Sequence, residues 1–323
     1  MHSAFRRGLT ALALLAAAAV PPAVAQSFPS RPITLVVPQG PGSGSDVTAR
    51  LLAAHLGPDL GQTVVVENRA GGSGVLAHQS VARAPADGYT LLFSSTAQLV
   101  VVPMINATAR WQLADFTPVA PVLKAPFALL VANTDAAPRT AQELAERLRK
   151  EPQGYASAGI GTMTHLGTEL WLRSIGAKAT HVPYKGSGQS LTDLMGGQTL
   201  FTVDSLTASM AHLRSGRLRA LAVMDGQRKA SLPDVPTIDE TGATGTHASV
   251  VAGVFGPRGM PADRVERLAA AMAKVLSLAE VQQKLAASES ERLTVPVPEF
   301  VRLLEQESTR WGPLVRELAL KVE

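Results

Sequence analysis

The 323-residue chain has no cysteine, so a disulfide framework, a thiolate metal centre and a thiol nucleophile are all closed to it. Aromatic residues make up only 4%, too few for a base-stacking or sugar-stacking surface. Charge of one sign is not concentrated either. Thirty Lys and Arg against 26 Asp and Glu leave a formal +4 with no basic block, which argues against nucleic acid as a partner. Catalytic signatures are missing as well. Ser43, Ser73 and Ser187 each lack at least one flanking glycine of a GxSxG elbow, and no GxxxxGK[ST] loop occurs. Read from Gly40 or Gly42, a GxGxxG pattern ends on Ser45 or Val47 and fails. The seven histidines show no HExxH or HxH spacing. These absences point to a chain that is not an enzyme, with no catalytic residue, metal or cofactor.

One apolar run stands out. Arg6 and Arg7 precede LTALALLAAAAV, and PPAVAQS follows with Ala23-x-Ala25: a basic region, a short apolar region and a small-residue cleavage site. The run is shorter than the roughly 20 residues needed to cross a bilayer, so it reads as an export signal. Cleavage after Ala25 would leave a nearly neutral mature chain in the periplasm.

Past the signal, ITLVVP reads as a buried strand and TVVVEN and YTLLFSS as further strands, separated by amphipathic stretches, the β-α-β pattern of a parallel sheet with helices on both faces. A second series runs from FALLVAN through GYASAG, THVPYK and LFTVDS to LRALAVM. The expected architecture is therefore α/β with two similar lobes. Residues 26–122 form the first part of lobe 1 and 123–225 form lobe 2. Residues 226–323 return to lobe 1, with C-terminal helices packing back on it.

Candidate ligand contacts cluster where strands run into helices. QGPGSGSDVTAR, residues 39–50, is a Gly-rich strand-to-helix loop, where unpaired N–H groups favour an anion. Gly42, Ser43, Gly44, Ser45 and Asp46 are its candidates, with a tight turn or a helix cap as the alternative reading of each. YASAGIGTMTHLGTEL repeats the device in the second series with Ser157, Gly159, Gly161 and Thr162. Two such loops facing each other would form a pincer at the carboxyl ends of the strands. Ser95 and Thr96 end a third strand. His165 either lines the cleft or caps and packs, and His181 reads as structural. Asp204 ends LFTVDS and either accepts a ligand ammonium or hydroxyl or caps the next helix. Lys185 would attract a carboxylate or simply lie in a solvated turn.

Together FPSRPITLVVP, PGSGSDVTARLLA, GQTVVVENRAGGSG, APADGYTLLF, YASAGIGTMTHLGTEL, HVPYKGSGQSLTDLMGGQ, GRLRALAV and LPDVPTIDETG resemble the Bug-type substrate-binding proteins of tripartite tricarboxylate transporters over nearly the whole mature chain. The resemblance implies a two-lobed type II periplasmic binding protein fold with a ligand cleft between the lobes. It also implies a small organic carboxylate as ligand (a di- or tricarboxylate, or a related amino or aromatic acid), membrane transporter subunits as partners, and a monomer. By position it carries ligand contact onto Gly42, Ser43, Asp46, Ser157, Gly161, Thr162 and Asp204. The chain departs from the family pattern at Gln39-Gly40-Pro41-Gly42-Ser43, where an aromatic and PPGG are usual, and at Asp204-Ser205, where Asp-Asn is common. An exported lyase or hydrolase acting on the same acid is the alternative, and a regulator's sensing module would need a DNA-binding domain in place of the signal.

The signal reading predicts a mature protein starting near Gln26 outside the cytoplasm. N-terminal sequencing after fractionation checks it, and intact Met1 in the cytosol would overturn it.

Overall fold

The computed structural model describes residues 28–287 and 289–317; the export signal read at residues 1–25 lies outside them. The folded unit begins at Arg31. Ile33–Val37 (β1), Val64–Asn68 (β2) and Thr90–Ser95 (β3) form the parallel set read from the sequence, with β1 between the other two. Between them run α1 (Gly44–Leu60) and, after the AGGSG turn, α2 (Val75–Ala82). β1 is buried on both faces, as a central parallel strand must be, which is why ITLVV shows no polar alternation.

The longest strand is the one the sequence hid. Phe116–Ala132 (β4) runs through Pro118, Pro121 and Pro126, residues that demote a strand because they cannot donate to a ladder. It tolerates them because the pairing with Ser249–Pro257 (β9) shifts register between Pro118 and Ala120 and again between Pro121 and Leu123. The first part of β4 pairs with β9, which in turn pairs with β3. From Phe127 onward β4 pairs instead with Phe201–Ser205 (β7) and Leu218–Val223 (β8). Parallel to β7 lies Gly154–Ser157 (β5), with Thr180–Pro183 (β6) beyond it. One strand thus belongs to two sheets, and the fold has two lobes joined along it.

Helices cover both lobes: Val102–Ile105 (α3), Ala141–Lys150 (α4), Met163–Ser174 (α5), Ser187–Met195 (α6), Leu206–Arg214 (α7), Ala262–Ser277 (α8) and Ala279–Ala286 (α9). Strand alternation sorts β4 between two apolar layers. Phe127, Leu129 and Val131 join Leu166, Trp171 and Phe201, while Ala128 and Leu130 join Leu191, Leu194 and Leu206. A two-residue strand, Glu291–Arg292 (β10), pairs with β4 ahead of the last helix, Val297–Glu317 (α10).

That last helix serves both cores. Phe300 and Leu304 sit among Val36, Leu92 and Phe255 of lobe 1, and Trp311, Leu314 and Val315 sit in the lobe 2 cluster. The expected outcome is that Phe300→Ala and Trp311→Ala each destabilise the fold by about 3–5 kcal/mol, the range for truncating a fully buried aromatic. Urea unfolding measures it; a loss under ~1 kcal/mol at either position would mean that helix end contributes little.

Candidate functional site

Four helices begin at one small cavity. Gly44, Ser45 and Thr48 of α1, Met163 and Thr164 of α5, Ser187 of α6, and Thr207 of α7 with its cap Ser205 all line it. Gln39, Thr162, Asp204 and Gln98 add polar groups, and Phe93, Leu123, Phe127 and Val250 form an apolar wall. The enclosed space is about 40 Å³, room for only a few waters. The first N–H groups of a helix have no intrahelical carbonyl to bind and carry its positive end. Both lobes therefore aim positive potential at one spot, and among the described residues no Lys, Arg or His lines the cavity.

The lobes are shut on each other. Gly40 N–H donates to the Lys185 carbonyl across the cleft at 3.0 Å. A Cβ at Gly186 would sit 2.8 Å from the Gly40 nitrogen, and one at Gly188 would overlap the Pro41 carbonyl. Glycine is required there by space, since the two loop backbones run against each other.

Of the residues singled out from the sequence, Gly44, Ser45, Ser95, Thr162 and Asp204 line the cavity. The others stand behind it. Ser43 caps α1 by accepting from Asp46 N–H, and Asp46 in turn accepts from Gly42 N–H at 3.0 Å, Arg50 Nε at 2.9 Å and Asn68 Nδ2 at 2.9 Å. Both Asp46 oxygens are thereby committed to holding the loop. Despite its burial, those hydrogen bonds and the Arg50 charge hold its carboxyl below the usual range. Gly42 has φ +77° and Gly161 φ +75°, so each is glycine for its backbone conformation. Thr96 is buried outside the lining, and Gly159 faces a neighbouring cleft shared with Gly71–Gly74, Tyr184 and Lys185.

Ser157 and His165 belong to a buttress beneath the second loop. His165 Nδ1 accepts from Gly161 N–H at 3.0 Å, and its ring stacks on His181 at 4.0 Å, which stacks on Tyr155 at 4.9 Å. The Tyr155 hydroxyl donates to Glu169, and His181 Nε2 lies 2.5 Å from Ser157 Oγ. This last pair has the look of a nucleophile and its base, yet Ser157 is wholly buried and outside the cavity. Burial, and for His165 also the neighbouring His181, pushes His165 down to about 3 and His181 to about 4. The first lobe has its own neutral histidine. His78, lowered by burial to about 4, donates from Nδ1 to the Gly74 carbonyl and accepts at Nε2 from Ser94.

Cavity residues missed in the sequence include Gln98, Ser187, Thr164 and Thr207. Ser187 sits in the quoted VPYKGSGQS but was weighed only as a failed elbow. Gln98 lies in a π-helical turn, Ala97–Val101, that no periodicity announces.

Asp204 is completely buried at the carboxyl end of β7. Its Oδ1 accepts from Ser187 Oγ and Ser205 N–H, each at 2.7 Å, and burial raises its carboxyl to about 7. The helix cap that follows is Ser205, which accepts from Ala208 N–H.

The chain matches the family described as tripartite tricarboxylate transporter family receptor over residues 48–320. It is similar to the solved structure of the periplasmic binding protein BugD, with 30% identity and TM-score 0.87, covering 92% of this chain and 100% of that one. MatC from Rhodopseudomonas palustris with bound malate aligns at 30% identity and TM-score 0.85, covering 89% and 100%. Rpa4515 of R. palustris with adipate aligns at 33% identity and TM-score 0.85, covering 91% and 99%.

The three neutral histidines generate a prediction. Below pH ~6.5 the unfolded chain takes protons that the fold refuses, so each histidine lowers stability by about 1.4 kcal/mol per pH unit until its folded value is reached. Asp204 acts oppositely, because its folded value lies above the unfolded one and acid stabilises it between about 7 and 3.8. Among these four groups, three against one leaves a net loss of about 2–3 kcal/mol from pH ~6 to ~5; burial also lowers His212, which adds to the loss, and raises Glu169, which opposes it. Urea midpoints at the two values measure it, and equal midpoints would show that the histidines titrate normally.

Proposed function

From a chain that belongs to the family of tripartite tricarboxylate transporter receptors, we propose a periplasmic solute receptor that captures a small organic carboxylate between its lobes and delivers it to membrane transporter subunits. The observation that carries the ligand class is the convergence of four helix N-termini on a cavity without a cationic side chain. Malate and adipate, the acids in the similar structures, are both dicarboxylates, and they set the class to be tried first. It is a receptor and not an enzyme: its family is one of transporter receptors, and the Ser–His pairs near the site, Ser157–His181 and Ser94–His78, lie outside the cavity lining. We assign direct contact to Gly44, Ser45, Ser95, Thr162 and Asp204. Gly42, Ser43, Asp46, Thr96, Ser157, Gly159, Gly161 and His165 act by shaping the loops that present those contacts. No helix among the described residues is long and apolar enough to cross a membrane. The receptor, on this reading, acts as a monomer beside its transporter.

Valine at Gly42 or Gly161 would confuse a test of closure with backbone strain, and at Gly161 it would also collide with Ile105. Gly44 avoids this, since it is the first residue of α1 and a Cβ there meets only the opposite lobe, 2.7 Å from Ser205 Oγ and 3.4 Å from Thr207 Cβ. Gly44→Val is expected to keep its circular dichroism and melting temperature while weakening the best ligand from a panel of mono-, di- and tricarboxylates at least tenfold, about 1.4 kcal/mol. Titration calorimetry measures it. Unchanged affinity in the folded variant, or no carboxylate bound by the wild type, would overturn the reading.

A further inference from the structure

Among the described residues Asp204 is the only titratable one lining the cavity, and its two oxygens are treated differently. Oδ1 accepts two hydrogen bonds of 2.7 Å, whereas Oδ2, fully buried, has no hydrogen-bond partner among the described residues; the nearby Ser190 hydroxyl, which favours the ionised form, donates to the Ser187 carbonyl at 3.1 Å. An ionised carboxylate would seek donors at both oxygens. A carboxylic acid accepts at its carbonyl oxygen and carries a hydrogen on the other, which is the pattern here.

Among the described residues no cation relieves it. On α1, Asp46 is paired with Arg50; on α5, His165 bonds Gly161 N–H, Glu169 bonds Tyr155 and Arg173 bonds Glu317. On α6, Asp193 interacts with Tyr184. On α7, His212 lies near Arg217, and Arg214 donates to the Ala287 carbonyl. On the adjoining strands, Lys124 of β4 acts on Asp225, Tyr155 of β5 on Glu169, and Arg219 of β8 donates to Asn133 and Pro138. A ligand carboxylate entering this cavity would meet Oδ2 as a bare negative charge or as an O–H donor, and two carboxylates in one dry site cannot both stay ionised.

We infer that Asp204 holds a proton on Oδ2 and donates it in a hydrogen bond to the bound carboxylate, so that ligand capture is coupled to one proton. The inference rests on the receptor reading above and names the group that makes the site accept a second acid rather than an ammonium. Burial raises the Asp204 carboxyl to about 7, so the proton is available at and below neutrality.

The test uses the full chain, wild type and Asp204→Asn, with malate and adipate as probes. Asparagine keeps an acceptor in place of Oδ1 and puts an N–H donor in place of the Oδ2 hydrogen. The wild-type dissociation constant should weaken about tenfold per pH unit above about 7, with proton uptake on binding seen in buffers of different ionisation enthalpy. Asp204→Asn should bind within a few-fold of wild type at low pH and show no such slope. Without ligand, a wild-type minus variant infrared difference spectrum should show a protonated carboxyl band that titrates away near about 7. An ionised Asp204 at pH ~6, or a flat wild-type affinity with binding abolished in a folded Asp204→Asn, would overturn the inference. If the wild type binds neither acid, the receptor reading fails and the infrared titration still decides where the proton resides. If Asp204→Asn does not fold, the wild-type pH slope and proton uptake decide it.

Discussion

Everything about this site depends on helix N-termini that have no carbonyl to bind. The loops after β1, β5, β6 and β7 each end at the carboxyl edge of a sheet and open directly into a helix, so the first turns of four helices, whose N–H groups have no intrahelical carbonyl, are delivered to one place without a described cationic side chain. That arrangement suits an anion, which fixed dipoles would hold. A lysine there would lose hydration on closure and would need a flexible stem held still, whereas backbone N–H groups are already immobile when the ligand arrives. The helix starts also explain the run of Ser and Thr around the cavity, where a hydroxyl can cap or turn toward a guest with little backbone strain.

Holding those loops still falls to residues that never reach the cavity. Asp46 ties Gly42, Arg50 and Asn68 into one knot in lobe 1, and His165 holds Gly161 from below in lobe 2. A neutral imidazole suits the second task because it accepts a backbone N–H while burying an apolar ring face against His181. A carboxylate in the same place would add negative charge beneath an anion site. The site is thus lined with uncharged donors and supported by groups kept neutral or fully paired, and Asp204 is the single exception.

Much of this was legible in the residues. The strands ITLVV and TLLFSS fall where the apolar runs placed them, because a central strand in a two-sided sheet has no polar face to blur its ends. Both Gly-rich loops were visible from their place between strand and helix. Their division of labour was not, since Ser43 and Asp46 look the same on paper whether they cap a helix or meet a ligand; only the hydrogen-bond partners separate the two. β4 was cut short by its prolines, which a long antiparallel strand absorbs in register shifts that depend on the partner strand and leave no local trace. Gln98 and Ser187 escaped for a related reason: they reach the cavity through the tertiary path of a π-helical turn and of an interlobe contact.

Closure and charge are linked through β7. Asp204 ends this strand, and the next residue, Ser205, both donates its N–H to Asp204 and caps α7, whose start meets Gly44 of the opposite lobe. Ser187, the other donor to Asp204, opens α6 one residue before Gly188, which lies against Pro41. The two donors that define Asp204 Oδ1 as the acceptor therefore sit on the surfaces that touch when the lobes shut. Closing the lobes tightens the enclosure around the carboxyl and removes water from its free oxygen, and loss of water is what disfavours the ionised form. A ligand that draws the lobes together thus raises the cost of a charge at Asp204 at the moment a second carboxylate would most repel it, and the proton is the species that resolves both.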